Sequence, residues 1–299
     1  MAGVEGTFLV PIDEPTQRVI LTDLVTDRQW SGEPHGSLGA GVRTWVGLQK
    51  CGWGVRFRYW HFGNDNVDPE PEVPVWAQPT IVESYHLEAN VLDFELTQRF
   101  FMHCWQIDTS FGARYADLER YMQVVGFGQV GNGVDLYGLA MGANQLDGTG
   151  FTASIGGSRQ IHPCSNWFLY WTYRGSVLWA DSTVSVLTDA TAFTSNPPGS
   201  ANARNHANAS ADHNENVFIS EAQLGLEYRI CTCRCGQWAF RGGVEFQHWD
   251  TGDLFAQSDS YAFLAGGPPA FGGDVYSSAD AHDGDLDLIG FVFGVEWTY

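Results

Sequence analysis

The chain has 299 residues and a formal net charge of −20, which excludes the basic surface that nucleic-acid binding needs. Lys50 is the single lysine, glycine reaches 35 residues, and aromatic residues make up 14%. It has no run of about eighteen apolar residues, so no helix is expected to cross a bilayer, and a closed barrel is the remaining membrane architecture.

Read in chain order, segments of alternating apolarity recur. Val4–Val10 puts Val4, Phe8 and Val10 opposite Glu5 and Thr7. A loop rich in Asp, Glu, Pro and Thr runs to Gly36, and Leu38–Leu48 then faces Val42 and Val46 against Arg43. After a tight turn at Cys51-Gly52, Trp53–Phe62 sets Val55, Phe57 and Tyr59 against Arg56 and Arg58. Residues 63–82 read as loop. Glu83–Thr97 alternates first as Tyr85, Leu87, Ala89 and Val91, then slips phase to Leu92, Phe94 and Leu96, which predicts a β-bulge near Val91–Leu92. A short link, 98–104, leads to Trp105–Tyr115.

Residues 118–147 read as a Gly-rich loop. Gly148–Ser158 and Trp167–Trp179 form the next pair, and the Asn-, Ala-, Ser- and Asp-rich stretch 181–216 reads as loop. Val217–Ile230 and Gln237–His248 flank the link Cys231-Thr232-Cys233-Arg234-Cys235-Gly236. An acidic loop, 249–285, precedes the last strand, where Ile289, Phe291, Phe293, Val295, Trp297 and Tyr299 alternate with smaller residues. A chain ending on an aromatic residue in strand pattern is the usual close of an outer-membrane barrel, whose last strand pairs with the first and engages the barrel-assembly machinery.

Short and long connections alternate strictly along about ten strands, within a range of roughly eight to twelve. This predicts one domain, 1–299, folded as an all-β, up-and-down antiparallel transmembrane β-barrel with short periplasmic turns and long extracellular loops. Residues 1–20 lack a basic segment followed by an apolar one, so no signal peptide is read there.

Charges occupy the face opposite the aromatics. In a membrane barrel that face is the lumen, because so many rings could not fit inside a barrel of this width. The lumen-facing set is therefore Glu5, Arg43, Arg56, Arg58, Glu88, Asp93, Glu95, Asp108, Arg114, Arg174, Glu221, Glu227, Arg229, Arg241, Glu245 and Glu296, with acids and arginines pairing across it. Trp53, Trp105, Trp167 and Trp238 follow the short turns and, with Tyr299, form an expected periplasmic aromatic girdle. Tyr59, Tyr115, Trp179 and Trp249 would mark the other rim.

All six cysteines, Cys51, Cys104, Cys164, Cys231, Cys233 and Cys235, lie in or beside the short turns. They are candidates for disulfides or for free turn thiols, and their spacing does not suit zinc. The acidic loop lacks calcium-binding spacing, and no metal or other cofactor is expected. No His-Glu-x-x-His or nucleophile-elbow motif is present, so enzyme activity is not expected.

The segments GVRFRYWHF (54–62), VLDFELTQRF (91–100), SFGARYADLE (110–119), YRGSVLWA (173–180), LGLEYRI (224–230) and GGVEFQHW (242–249) occur in that order. Together they resemble the pore-forming outer-membrane family typified by the Legionella major outer membrane protein, in a planctomycete-type form. The resemblance implies an outer-membrane location and porin-like passive diffusion of small polar solutes or ions. The alternative is a structural or adhesive outer-membrane barrel with a plugged lumen and acidic surface loops. Expected partners are outer-membrane lipid, a cell-wall or surface partner and further copies of the chain, with no nucleic acid.

Overall fold

The computed structural model describes all residues except 13–15, 25, 68–78, 103, 131–133, 164, 195–199, 233–235, 252–254, 266–271 and 283. The strands in chain order are β1 (Ala2–Ile12), β2 (Gln17–Asp23), β3 (Arg28–Gly32), β4 (Gly39–Lys50), β5 (Trp53–Val67), β6 (Thr80–Met102), β7 (Trp105–Val130), β8 (Val134–Gln160), β9 (Trp167–Thr194), β10 (Ser200–Thr232), β11 (Gly236–Asp250), β12 (Phe255–Ala265), β13 (Gly272–His282) and β14 (Asp285–Thr298). Ten of them close an antiparallel barrel in the order β1-β14-β11-β10-β9-β8-β7-β6-β5-β4. The seam pairs the first strand with the last, with Phe8 opposite Phe291 and Val4 opposite Val295. The barrel strands match the sequence expectation one for one.

The long connections do not. The described residues of 118–147 and 181–216 are strand: β7 pairs with β8 without a break from Trp105 to Val130, and β10 follows β9 from Tyr228 back to Ser200. Asn, Ser and Asp suggested turns there. Yet Ala207, Ala209 and Ala211 still alternate with Asn208, Ser210 and Asp212, and the ladder itself needs no apolar side chain. Residues 12–36 and 249–285 are not simple loops either. They supply a second sheet, β13-β12-β2-β3, in which β2 runs parallel to β12 and Val19 lies opposite Ser260. Val19, Leu21 and Ala262 of this cap sheet pack with Val124, Leu136, Ala140 and Ala192 of the tall β7–β9 wall.

The expected bulge near Val91–Leu92 is absent. Trp60 opposes Val91 and Tyr59 opposes Leu92 in unbroken register. Tyr85, Leu87, Ala89, Val91, Asp93 and Glu95 all face inward. The apolar residues change face because the surroundings change: below Val91 the greasy side is outside, and above it the greasy side is inside.

Outward, the lower barrel carries a continuous apolar belt. Phe94 is 58% exposed while its neighbour Glu95 is 0% exposed, which fixes the facing of β6. Phe57, Phe111, Phe151, Tyr173, Leu224, Phe246 and Phe293 continue the belt around the ring. Among the described residues, no Asp, Glu, Lys or Arg points outward between the level of Trp53 and that of Tyr59. On β9 the apolar face runs from Trp167 to Trp179, about 28 Å, taking ~3.3 Å per residue at a ~45° tilt.

Acids return abruptly above the belt. Asp117 lies opposite Asp147 and Asp147 opposite Asp181, a tier of carboxylates on adjacent strands. Tyr115 donates its hydroxyl to Asp147 at 2.9 Å. Burial, with Asp147 beside it, holds the Asp117 carboxyl above the usual carboxylate range. A folded-state pKa above the unfolded one makes ionisation cost stability as pH rises through that window. Asp117→Asn is therefore expected to raise the unfolding midpoint at neutral pH by about one or two degrees. At about pH 3, where both states are protonated, it should change nothing. Heat-dependent gel mobility at the two pH values measures this, and an equal shift at both would refute it.

Candidate functional site: the barrel lumen

Period-2 alternation turns every second residue of each strand into the lumen, and the lower lumen collects the arginines and acids. Asp93 on β6 accepts from Arg114 Nε on β7 at 2.7 Å and Nη2 at 3.0 Å, from Arg58 on β5 at 3.3 Å and from Arg174 on β9 at 3.4 Å. Glu221 on β10 reaches Arg58 at 2.7 Å, across the ring, and Arg114 at 2.7 Å. Arg43 on β4 pairs with Glu5 beside it and with Glu245 on β11 at 2.6 Å. Arg174 also pairs with Glu95, which takes Arg56 at 2.6 Å. Nearer the short turns, Glu227 holds both Arg229 and Arg241, and Arg241 reaches Glu296 at 3.0 Å. Some of these pairs join neighbouring strands, others, such as Arg58–Glu221, Arg114–Glu221 and Arg43–Glu245, straddle the lumen, and most are buried. Desolvation is offset because each charge meets an opposite one with directed hydrogen bonds.

Arg43, Arg56, Arg58, Asp93, Glu95, Asp108, Arg114, Arg174, Glu221, Glu227, Arg229, Arg241, Glu245 and Glu296 thus lie inside, together with Glu5. Glu88 is the correction. It points outward above the belt, where it accepts from Asn90 at 3.1 Å and sits 3.9 Å from His61. Its misplacement follows from the bulge that is not there.

Above the ions lies a layer that sequence reasoning missed. Leu9, Trp60, Phe62, Leu87, Ala116, Leu146, Leu178, Ile219, Trp249 and Leu288 form one contiguous buried cluster. Nine of the ten barrel strands contribute to it. Trp60 stacks on Phe62 with ring centroids 5.9 Å apart and lies 6.4 Å from Trp249. Its indole donates to Thr7 at 3.2 Å, and Arg43 sits 5.7 Å from its ring centroid. Trp249, expected at the outer rim, is 1% exposed and donates to Gln247 at 3.2 Å. The lumen is ionic below and apolar above, and both layers are packed.

At the short-turn end, Trp53, Trp167, Trp238 and Tyr299 are exposed, while Trp105 is half-buried with Arg159 over its ring at 5.9 Å. Trp238 lies 6.5 Å from Trp297, which lies 6.0 Å from Tyr299, so the closing seam carries a patch of rings. Cys51, Cys104 and Cys231 are exposed free thiols, and Cys164, Cys233 and Cys235 lie outside the described residues. Arg99 was missed because its segment read as a link. It lies on β6, faces the lumen and pairs with Asp108 at 2.5 Å. The alternation Asp93, Glu95, Thr97, Arg99 was the available signal.

No family model and no curated protein matches the chain. Among solved structures it is similar to the outer membrane protease OmpT from Escherichia coli, at 10% identity over 100% of this chain and 96% of that one, with a TM-score of 0.41. A Pseudomonas aeruginosa FadL homologue follows at 7% identity, over 100% and 90% of the two chains, with a TM-score of 0.27. OmpT, an outer membrane protein of Vibrio cholerae, follows at 10% identity over 99% and 96%, with a TM-score of 0.20.

Proposed function

We propose that the chain is a barrel of the bacterial outer membrane whose lumen is closed, serving to hold a tall β wall and its cap outside the bilayer. The charge-free belt of bilayer height, flanked at the short turns by tryptophans, supports the membrane placement. Outer-membrane lipid would cover the belt, and the aromatic end of β14 would engage the assembly machinery. Short turns would then face the periplasm and the acidic wall the exterior. Membership of the Legionella-type family is proposed on the quoted motifs alone.

The observation that carries the closed lumen is the apolar layer contributed by nine strands. A passive pore needs a wetted path. Here a passing ion would first have to part the cross-lumen pairs of Arg58, Arg114 and Glu221. It would then have to cross the layer of Trp60, Leu178 and Trp249 without water. The layer favours the structural reading over the porin one.

Reconstitution of the full chain into planar bilayers tests this. The expected record is flat at all voltages, with insertion verified by protease protection of the barrel. Regular conductance steps from the wild-type chain would overturn the closed lumen and restore the diffusion pore.

A further inference from the structure

Below the ionic layer, toward the short turns, the lumen holds a cavity of about 100 Å³. Its lining includes Arg56, Thr97, Arg99, Tyr170, Trp171 and Arg241. A second cavity, between it and the ionic layer, shares Arg56, Thr172, Arg241 and Glu296 and reaches the network of Arg43 and Glu221. The two form one vestibule that ends on paired ions.

The arginines of this vestibule differ from those of its floor. The side chains of Arg56, Arg99 and Arg241 are 24%, 24% and 27% exposed, against 8% or less for Arg43, Arg58, Arg114 and Arg174. Arg99 gives only its Nε to Asp108. Arg56 spends Nε and Nη2 on a single oxygen of Glu95. Arg241 spends Nε on Glu227 and Nη2 on Glu296. Among the described residues, both Nη groups of Arg99 and the Nη1 groups of Arg56 and Arg241 have no protein acceptor.

The acceptors, by contrast, are taken. Asp108 receives Arg99 on one oxygen and Gln106 on the other. Glu227 receives Arg229 and Arg241, and Glu296 receives Arg241 and Thr298. Two buried hydroxyls of lining residues, Tyr170 Oη and Thr97 Oγ1, have no hydrogen-bond partner among the described residues. Tyr170 is 5% exposed, with its ring against Gly225 and its hydroxyl against Gly243, two glycines that oppose each other on β10 and β11. A side chain at Gly225 would collide with that ring and one at Gly243 with its hydroxyl, so the glycines make room for the tyrosine along the lumen wall.

Unspent guanidinium donors, engaged carboxylates and orphaned hydroxyls together describe a space suited to further acceptor oxygens. We propose that the vestibule binds a small oxyanion, the carboxylate or phosphate group of a molecule presented at the short-turn end. Guanidinium groups hold such groups through paired, charge-assisted hydrogen bonds. Tyr170 and Thr97 complete the shell. This site is independent of the closed-lumen reading, because binding from one end requires no passage.

Isothermal titration of the full chain in detergent tests it, with inorganic phosphate and N-acetylalanine as separate probes and sodium chloride as the ionic-strength control. Saturable binding of at least one probe is expected, and which one binds separates phosphate from carboxylate. Arg99→Gln and Tyr170→Phe should each weaken it about tenfold, the loss of one hydrogen bond to a charged group. Tyr170→Phe keeps the ring over Gly225 and removes an unpaired hydroxyl, so its fold should be retained, as unchanged heat-dependent gel mobility would show. Absence of saturable binding by both probes, or unchanged affinity in both variants, would overturn the site.

Discussion

Trp60→Ala is expected to destabilise the barrel by about 3–5 kcal/mol, the range for emptying a large aromatic site in a packed core. Trp60 is 2% exposed, wedged among Phe62, Trp249 and Arg43, and tied to Thr7 by its indole N–H. Its removal leaves a hole in the centre of the apolar layer, bounded by strands whose ladders cannot close on it. It also strands the Thr7 hydroxyl. The matched control is Phe94→Ala, whose ring lies on the outer belt. Lipid chains fill the space that Phe94 leaves, so no cavity term adds to its cost. Urea unfolding in lipid vesicles, followed by tryptophan fluorescence, compares the two. Equal losses at both positions would contradict the placement of one ring inside and the other in hydrocarbon.

Asp93→Ala should cost a similar amount, about 3–5 kcal/mol, for an electrostatic reason. Asp93 is the shared acceptor of Arg58, Arg114 and Arg174. Without it, Arg114 retains Glu221, but its Nε is left buried without an acceptor. Three guanidinium groups then face one another with one negative charge fewer between them. The diagnostic is the second substitution. Asp93→Ala/Arg114→Met removes one charge of each sign and leaves a side chain of comparable length. It should recover at least half of the loss, whereas independent sites would make the double variant worse than either single one. Additive losses would mean that the ions do not act as a network.

The ten barrel strands were legible because one signal repeats on each: bulky rings on one face, ions or small residues on the other. Lipid imposes that pattern directly, so Phe57, Phe94 and Phe246 could be placed outward and Arg58 and Glu245 inward from phase alone. The apolar plug was not legible by the same logic. Phase reading assumes that the greasy face stays greasy along a strand, and on β6 it switches at Val91. A phantom bulge, an inward Glu88 and a rim position for Trp249 all follow from that one assumption. The tall wall was hidden because Asn, Ala and Ser carry little contrast, and the cap because β3 has only five residues. In the vestibule the arginines were readable one by one, apart from Arg99. Their unspent donors were not, since which carboxylate each one meets depends on strands far apart in the chain.

The cap has a consequence for the order of events during biogenesis. β2 is made early and β12 late, yet they run side by side, with Arg18 opposite Asp259. The roof therefore cannot be completed until nearly the whole polypeptide has emerged, and an arrested chain ending before residue 255 would leave Val124, Leu136 and Ala192 without the cover that Ala262 of β12 supplies. Quality control that senses such a surface would read completeness of synthesis at a single place.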